Sequence, residues 1–255
     1  MDTNLSGKTA VVTGGARGIG YAVARSLAAE GADIALLDLL DTVEESARKI
    51  SDDYGVRTHG QRLDVTDQDA TNAAFETIAD RLSVPQVLLT AAGIEINGDS
   101  IDVPAAAWRK VIDVNLTGTF FSAQAFGRGL LASDLPGSAI LISSMSGEIV
   151  NVPQWAASYN SSKAAVAHLA TSLAVEWAAS DIRVNSIAPG YVLTDLTQQI
   201  LDREPELEAD WVSRIPQGRM ATPQDLTGLV TFLASNASSY LTGQQIVIDG
   251  GYTAI

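Results

Sequence analysis

Short apolar runs typical of β-strands alternate with helical patterns over all 255 residues, and this alternation restricts the possible folds more than any other feature. Strands that alternate with helices form βαβ units, whose parallel strands are covered by helices on both faces of one sheet. The sequence therefore predicts a single α/β domain spanning 1–255, with a doubly wound parallel seven-stranded sheet. The predicted strands are 8–13, 33–37, 57–65, 86–90, 139–143, 183–187 and 245–248.

The segment after the sixth predicted strand breaks this alternation. Residues 191–216 are polar and acidic with helical character, whereas the longest helical patterns elsewhere span 104–132 and 157–179. Segments at the carboxyl end of a parallel sheet commonly carry binding residues. We therefore expect 191–216 to act as a substrate lid within the single domain.

A glycine-rich loop, TGGARGIG at residues 13–20, follows the first strand and opens the first helical pattern. Glycines allow a tight turn and a close approach of the backbone to a pyrophosphate, and the helix N-terminus supplies free N–H groups. Such a loop alone is weak support, but its place between strand and helix is the one that a dinucleotide-binding, Rossmann-like fold requires. The residues predicted to contact the dinucleotide here are Gly14, Arg17, Gly18, Ile19 and Gly20.

Acidic residues at the ends of the next two strands are predicted to contact the adenosine half of the dinucleotide. The carboxylate of Asp38 can accept hydrogen bonds from both ribose hydroxyls and repels a 2′-phosphate, which predicts NAD rather than NADP. Its neighbour Leu39 supplies no cation for such a phosphate, although Arg17 could approach one. Asp64 and Val65 are predicted to flank the adenine. The alternative for each aspartate is a local turn or a helix cap.

Tyr159 and Lys163 are four residues apart in a helical pattern, so they lie on one face of the helix, one turn from each other. A nearby ammonium favours the phenolate and is expected to lower the pKa of Tyr159. A tyrosine adjusted in this way can exchange a proton with an alcohol or a carbonyl oxygen. Alone the pair is weak support, because a surface Tyr/Lys pair is common. Downstream of a nucleotide loop it indicates a catalytic pair.

The charge balance and residue usage narrow the classes of partner. Acidic residues outnumber Lys and Arg by 30 to 16, and the net charge of −14 disfavours nucleic acid and anionic membranes as partners. There are no cysteines and two histidines, so no metal site is expected. The polar start lacks signal-peptide character and no apolar run reaches membrane-spanning length, so we expect a cytoplasmic protein. His168 lies in an apolar helical stretch and is expected to be packed.

Together these motifs resemble the short-chain dehydrogenase/reductase family along essentially the whole chain. TGGARGIG resembles the family's TGxxxGxG motif, and Tyr159 with Lys163 resembles its YxxxK motif. The resemblance implies that Asn115 and Ser144 complete a catalytic set. Asn115 is implied to position a water, and Lys163 to bond the nicotinamide ribose. Further implied dinucleotide contacts are Ala92, Gly93, Tyr159, Pro189, Gly190, Val192 and Thr194.

Two positions depart from the family's pattern. Thr90 stands where the family usually has an asparagine after the fourth strand, which puts local packing in doubt rather than chemistry. The family's catalytic serine usually lies at the distance from the tyrosine that Ser146 has here. Because some members carry a longer loop at this point, the resemblance favours Ser144 as the catalytic serine and places Ser146 in the wall of the substrate pocket.

The run SMSGEIVNVPQ at 144–154 most resembles the polyol dehydrogenases of this family, which act on galactitol, sorbitol, mannitol and related ketoses. It implies hydride transfer between NAD(H) and a secondary alcohol or ketone, with Tyr159 as the general acid/base. The implied substrate contacts are Ser144, Ser146, Asn151 and Tyr159. Three alternatives stay open: a stereoselective carbonyl reductase, a 3-oxoacyl thioester reductase using NADPH, and a catalytically silent dinucleotide-sensing protein. The family resemblance also implies a homotetramer.

Overall fold

Among residues 3–255, which the structure describes, seven parallel strands form one sheet, as the alternation predicts. The structure is a computed structural model, and at positions 196 and 199 only the backbone is described. The strands are β1 Thr9–Thr13, β2 Asp33–Asp38, β3 Thr58–Arg62, β4 Val87–Thr90, β5 Gly137–Ile142, β6 Ile182–Pro189 and β7 Gln245–Ile248. Their spatial order is β3-β2-β1-β4-β5-β6-β7. The predicted fold class is confirmed.

Helices alternate with these strands and cover both faces of the sheet. In the part of the chain described, no helix has the length and apolarity needed to cross a bilayer. The helices are α1 Gly18–Ala29, α2 Val43–Tyr54, α3 Gln68–Arg81, α4 Ala105–Ile112, α5 Gly118–Ser133, α6 Ala157–Trp177, α7 Asp195–Leu201, α8 Glu206–Ser213 and α9 Pro223–Ala234.

Two hydrophobic cores lie on opposite faces of the sheet, because successive side chains of a strand point to opposite faces. Val12 belongs to the first core, together with Leu27 of α1 and Val230 of α9. Its neighbour Val11 belongs to the second core, together with Phe126 of α5. Burying one such large apolar side chain contributes roughly 1.5–3 kcal/mol. Burial on both faces therefore holds the sheet between two layers of helices.

The predicted helix 104–132 is interrupted, because Asp113–Thr117, between α4 and α5, is π-helical. Such a bulge widens the helix locally and is frequent at functional sites. The following residue, Gly118, lies against Val65 beyond the end of β3: a Cβ atom at Gly118 would come within 2.5 Å of its Cγ2 atom. The bulge thus lies where the helix passes the carboxyl edge of the sheet.

Two further predictions differ from the structure. β3 ends at Arg62 rather than at 65, because Asp64 turns the chain. The Oδ1 atom of Asp64 accepts hydrogen bonds from the backbone N and the Oγ1 of Thr66, at 3.0 and 2.7 Å. His168 is exposed rather than packed, because only one side of α6 covers the sheet and His168 lies on the other.

The segment 191–216 has a small hydrophobic cluster of its own, apart from the two sheet cores. Its buried members include Leu207 and Trp211 of α8 and Ile215. The ring of Tyr191 stacks on that of Trp211, with 4.2 Å between centroids and 9° between planes. The segment is therefore an ordered unit with apolar contacts of its own, placed directly after β6.

We predict that two glycine-to-alanine changes in helices act in opposite directions. In α5, a Cβ atom at Gly127 would come within 2.7 Å of the ring of Trp177, whereas in α9 a Cβ atom at Gly228 would meet no atom within 4 Å. Alanine in a helix is favoured by roughly 0.5–1 kcal/mol over glycine, but overpacking costs about 1–3 kcal/mol. Urea denaturation should show a lower free energy of unfolding for Gly127→Ala and a higher one for Gly228→Ala. Equal changes in both variants would contradict this packing.

Candidate active site

A crevice opens at the carboxyl edge of the sheet where the strand order changes direction. β1 pairs with β2 on one side and with β4 on the other. Ligands of open α/β sheets bind outside the carboxyl ends of the strands at such a point. The loops after β1 and β4 meet there, since a Cβ atom at Gly14 would come within 2.6 Å of the backbone N of Ala92. The structure thus brings together two predicted dinucleotide contacts from distant parts of the chain.

The loop and the first turn of α1 fit a pyrophosphate. Among the described side chains, none caps the N-terminus of α1, and its first turn carries no acidic residue. The backbone N–H groups and the helix dipole are therefore open to an anion. Only glycine fits at Gly20, because a Cβ atom there would overlap the carbonyl oxygen of Gly14. Gly18, with a φ of +58°, lies in the left-handed region that glycine adopts without strain.

Asp38 ends β2 beside the glycine loop. Its Oδ2 atom accepts a hydrogen bond from the backbone N of Ala16 at 2.9 Å, and its Oδ1 atom accepts one from the backbone N of Leu40 at 3.0 Å. A carboxylate offers about four lone-pair positions, so acceptor capacity remains for a ribose. The side chain of Leu39 is 57% exposed, and it can cover a ligand only from the solvent side.

Two arginines lie near this end of the crevice, and the sequence indicated only one of them. The Nη1 atom of Arg17 pairs with Oδ2 of Asp195 in α7 at 3.3 Å. The Nε atom of Arg62 donates a hydrogen bond to the carbonyl oxygen of Leu39 at 3.0 Å. Arg62 is the arginine that the sequence did not indicate. It lies beside Asp38 because the register of β2 and β3 pairs these two residues.

Asp64 and Val65, predicted to flank the adenine, lie between β3 and α3. The Asp64 side chain is exposed and shapes the turn through Thr66, as described above. Val65 is 6% exposed. These contacts explain both residues locally, and their position next to the adenine stays a prediction.

Tyr159 and Lys163 lie one turn apart on α6, beside the end of β5. Lys163 is 5% exposed, and its Nζ atom donates a hydrogen bond to the carbonyl oxygen of Ile142 at 2.9 Å. The same Nζ atom lies 5.6 Å from the centroid of the Tyr159 ring. Ser144 follows β5 directly, and its side chain is near enough to Tyr159 to lower the pKa of the phenol. The structure therefore brings together the tyrosine, the lysine and this serine.

Burial dominates the titration of this pair. Burial raises the pKa of Tyr159, the charge of Glu95 raises it further, and the hydrogen bond with Ser144 lowers it. Burial lowers the pKa of Lys163 to about 8, against a raising effect from Glu95. The pKa of Tyr159 in the chain alone is therefore raised rather than lowered as expected, because loss of solvent is the largest effect.

Asn115 lies in the π-helical turn and ties three segments together. Its Oδ1 atom accepts a hydrogen bond from the backbone N of Ile94 at 2.8 Å, and its Nδ2 atom donates to the carbonyl oxygen of Ile94 at 2.9 Å. Nδ2 also donates to Oγ of Ser162 in α6 at 3.0 Å. Gly93 lies against this group and the lysine, since a Cβ atom there would be 3.4 Å from Oδ1 of Asn115 and 3.5 Å from Nζ of Lys163. Asn115 thus lies near Lys163.

A chain of hydrogen bonds leads from Ser144 into the cavity. Its Oγ accepts a hydrogen bond from the backbone N of Ser146 at 3.1 Å, and Oγ of Ser146 donates to Oδ1 of Asn151 at 2.6 Å. Nδ2 of Asn151 donates to the hydroxyl of Tyr191 at 3.0 Å, which donates to Oε1 of Gln154 at 3.1 Å. The hydroxyl of Ser146 therefore bonds into the pocket wall, whereas that of Ser144 accepts a bond from the backbone at the end of β5.

One cavity joins the predicted nicotinamide and substrate contacts. In the described part of the chain, no group of acidic and histidine side chains is arranged to hold a metal ion. The predicted residues that line the cavity are Ile19, Ser144, Ser146, Asn151, Tyr159, Pro189, Gly190, Val192 and Thr194.

Glu95, Tyr191 and Trp211 are among the further residues of this cavity that were not predicted. Within residues 3–255, the buried Nε1 atom of Trp211 has no hydrogen-bond partner. Tyr191 directly follows the predicted contact Gly190, a signal that could have indicated it. The other two residues lie in irregular or lid segments, where neither periodicity nor a motif marks a pocket.

Comparisons with known proteins agree with this geometry. A family model described as enoyl-(acyl carrier protein) reductase matches residues 14–253. D-arabinitol 2-dehydrogenase [ribulose-forming] of Candida tropicalis is 41% identical over 262 residues, covering 97% of this chain and 93% of that protein. Galactitol 2-dehydrogenase (L-tagatose-forming) of Cereibacter sphaeroides is 40% identical over 250 residues, covering 98% and 96%.

One solved structure is similar to this chain over its whole length. The crystal structure of a short-chain type dehydrogenase/reductase from Mycobacterium marinum superposes with a TM-score of 0.95 at 40% identity, covering 100% of this chain and 98% of that one. The similarity in sequence and in structure extends over the whole domain, including the crevice and the cavity. The chain belongs to the short-chain dehydrogenase/reductase family.

Proposed function

We propose that this protein is an oxidoreductase that interconverts a sugar alcohol and its ketose with a nicotinamide dinucleotide. The observation that carries the proposal is the meeting of Tyr159, Lys163 and Ser144 at a cavity lined by hydroxyl and amide groups. The named activities of the arabinitol and galactitol relatives support the same substrate class. Hydroxyl and amide groups suit a substrate rich in hydroxyls, because each can donate or accept a hydrogen bond.

Tyr159 is proposed as the general acid/base. In oxidation, the substrate's hydroxyl proton passes to the phenolate oxygen of Tyr159 as the carbinol carbon loses its hydride and the C=O bond forms. In reduction, the phenol returns the proton to the carbonyl oxygen. The hydroxyl of Ser144, beside Tyr159 in the cavity wall, holds the substrate oxygen in line for this transfer.

The chain's own groups also provide the surroundings that this proton transfer needs. When bound, the dinucleotide accepts or donates the hydride, and its oxidised ring carries a positive charge that favours the phenolate. We propose that Lys163 bonds the nicotinamide ribose from its buried position, and that Asn115 positions a water beside it. The open N-terminus of α1 and the glycine loop would hold the phosphates.

We propose NAD as the preferred dinucleotide, with Asp38 as the selecting residue. Its two oxygens lie at the end of β2 beside the glycine loop, where an added phosphate would meet a like charge. The second candidate, NADP, is favoured by Arg17 and Arg62, which lie near the same end of the crevice. Both arginines are already paired with groups of the chain, which weakens their attraction for a phosphate.

We further propose that 191–216 is the substrate lid. It contributes Tyr191 and Trp211 to the cavity, and its helix α7 is tied to the nucleotide loop through Asp195 and Arg17. Such an exposed ion pair is worth about 0–1 kcal/mol, so opening this contact costs little.

The assembly is proposed to be a homotetramer in the cytoplasm. Apolar side chains exposed on neighbouring helices support an association: Trp108 of α4, Leu131 of α5 and Val175 of α6. The largest of these exposed fractions, 79% at Val175, lies on the side of α6 that does not cover the sheet. Apolar surface of this kind favours contact with another subunit.

We predict that Tyr159→Phe abolishes most turnover and leaves dinucleotide binding largely intact, because the variant loses only the proton-carrying hydroxyl. A positioned acid/base contributes about 10²–10⁴-fold, and kcat should fall by this factor. The measurement is NADH formation from galactitol, D-arabinitol and sorbitol, with binding followed by NADH fluorescence. Tyr240→Phe, which removes a fully exposed hydroxyl, is the control. Full activity of Tyr159→Phe would disprove the assignment, and tight binding without turnover by the unaltered protein would favour a dinucleotide sensor.

The two serines are predicted to have different kinetic effects. Ser144→Ala should lower kcat by roughly 10²-fold, the usual cost of removing a hydrogen-bond donor from a reacting oxygen. Ser146→Ala should act mainly on KM, because its hydroxyl bonds Asn151 in the pocket wall. Steady-state kinetics on one polyol separates these effects. A larger loss of kcat in Ser146→Ala would transfer the catalytic assignment to that serine.

The cofactor proposal predicts that Asp38→Asn narrows the preference for NAD over NADP by about tenfold or more, since relief of one like-charge contact is worth at least about 1.4 kcal/mol. The ratio of kcat/KM values for the two dinucleotides measures the effect. Asp52→Asn, an exposed change on α2, should leave the ratio unaltered. An unaltered ratio in Asp38→Asn as well would show that another group selects the dinucleotide.

A further inference from the structure

Among the described residues that line the cavity, Glu95 alone has an acidic side chain, and the proposed proton transfer makes no use of it. It follows Ile94, whose backbone N–H and C=O are both held by the side chain of Asn115, at 2.8 and 2.9 Å. The segment after β4 is therefore fixed to the π-helical turn immediately before this residue. Glu95 lies in the irregular segment between β4 and α4, and it lines the same cavity as Tyr159 and Tyr191.

Glu95 interacts electrostatically with the other ionisable groups of the site. Its charge raises the pKa values of Tyr159, Lys163 and Tyr191. Burial raises the pKa of Glu95 itself, whereas a hydrogen bond with the side chain of Asn97 and the charge of Lys163 lower it. Glu95 is half-buried, and a carboxylate offers about four acceptor positions, so positions remain for a ligand.

The rest of the cavity wall carries no opposing charge. Among the described side chains that line it, none is an arginine, lysine or histidine, and the remainder are apolar groups, hydroxyls and amides. The nearest cation, Lys163, is 5% exposed and donates to the carbonyl oxygen of Ile142. An anionic substrate would therefore meet the carboxylate of Glu95 with no cation in the wall to offset the repulsion.

We propose that Glu95 is a substrate-recognition residue: its carboxylate accepts hydrogen bonds from hydroxyls next to the reacting carbon of a neutral polyol and excludes sugar acids from the cavity. Hydrogen bonds from hydroxyls to a carboxylate are short and about twice as strong as neutral ones. The same charge that attracts hydroxyl donors repels a carboxylate on the substrate, so one residue supplies both attraction and rejection. The inference rests on the proposed polyol activity, and it adds the residue that discriminates between neutral polyols and sugar acids.

The test is the isosteric change Glu95→Gln in the full chain, with steady-state kinetics on three substrates. Galactitol is the neutral polyol, D-gluconate the sugar acid, and 2-butanol a secondary alcohol with no second hydroxyl. For galactitol, kcat/KM should fall by about 10–100-fold, mainly through KM, as expected for loss of hydrogen bonds to a charged group. The kcat/KM value for 2-butanol should change far less. The ratio of kcat/KM for galactitol to kcat/KM for D-gluconate should fall.

Two matched variants make the outcome decisive. Glu95→Asp keeps the charge and should continue to reject D-gluconate. Glu148→Gln removes an exposed carboxylate of the neighbouring loop and should leave all three values unchanged. Equal losses on galactitol and 2-butanol in Glu95→Gln, or no loss on either, would overturn the recognition role while leaving the polyol activity in place. If the unaltered protein oxidises 2-butanol but no polyol, the proposed function itself fails, and the role of Glu95 falls with it.

Discussion

The parallel pairing of β1 with both β2 and β4 is the constraint on which the rest of the site depends. The strand order extends from β1 toward β3 on one side and from β4 toward β7 on the other. The loops that follow β1 and β4 therefore meet at the carboxyl edge of the sheet. The contact is close enough that Gly14 cannot carry a side chain, and Gly20 packs as tightly against Gly14 within the loop after β1. The glycine loop, the acidic end of β2 and helix α6 with Tyr159 and Lys163 are thereby assembled from parts of the chain that are far apart in sequence.

Loss of solvent is the second determinant of the chemistry. Burial disfavours both the phenolate of Tyr159 and the ammonium of Lys163, so neither charge is stable there without specific partners. The carbonyl oxygen of Ile142 and the hydroxyl of Ser144 are those partners. Asn115 fixes the nearby backbone rather than the reacting atoms, and it can do so because the π-helical turn directs it toward Ile94. The same packing therefore fixes the positions of these side chains and determines which of their protonation states is favoured.

The seven strands could be predicted because each is an apolar run bounded by helical patterns, and the motifs around Gly14 and Tyr159 could be predicted because they are local. The failures have different physical causes. Hydrophobic periodicity does not record a single wide turn, so the interruption at Asp113–Thr117 escaped it. The spacing of Tyr159 and Lys163 reports a neighbouring charge but not the depth of burial, which reversed the expected pKa shift. Glu95 and Arg62 reach the site only through tertiary contacts.

The small cluster of Leu207, Trp211 and Ile215 shares no member with the two cores that hold the sheet. A substitution inside it changes the shape of the cavity roof while the layers around β1 stay packed as before. If 191–216 acts as the proposed lid, changes in substrate preference made there are separable from the stability of the sheet. The crevice proposed for the dinucleotide then stays unaltered while the lid varies.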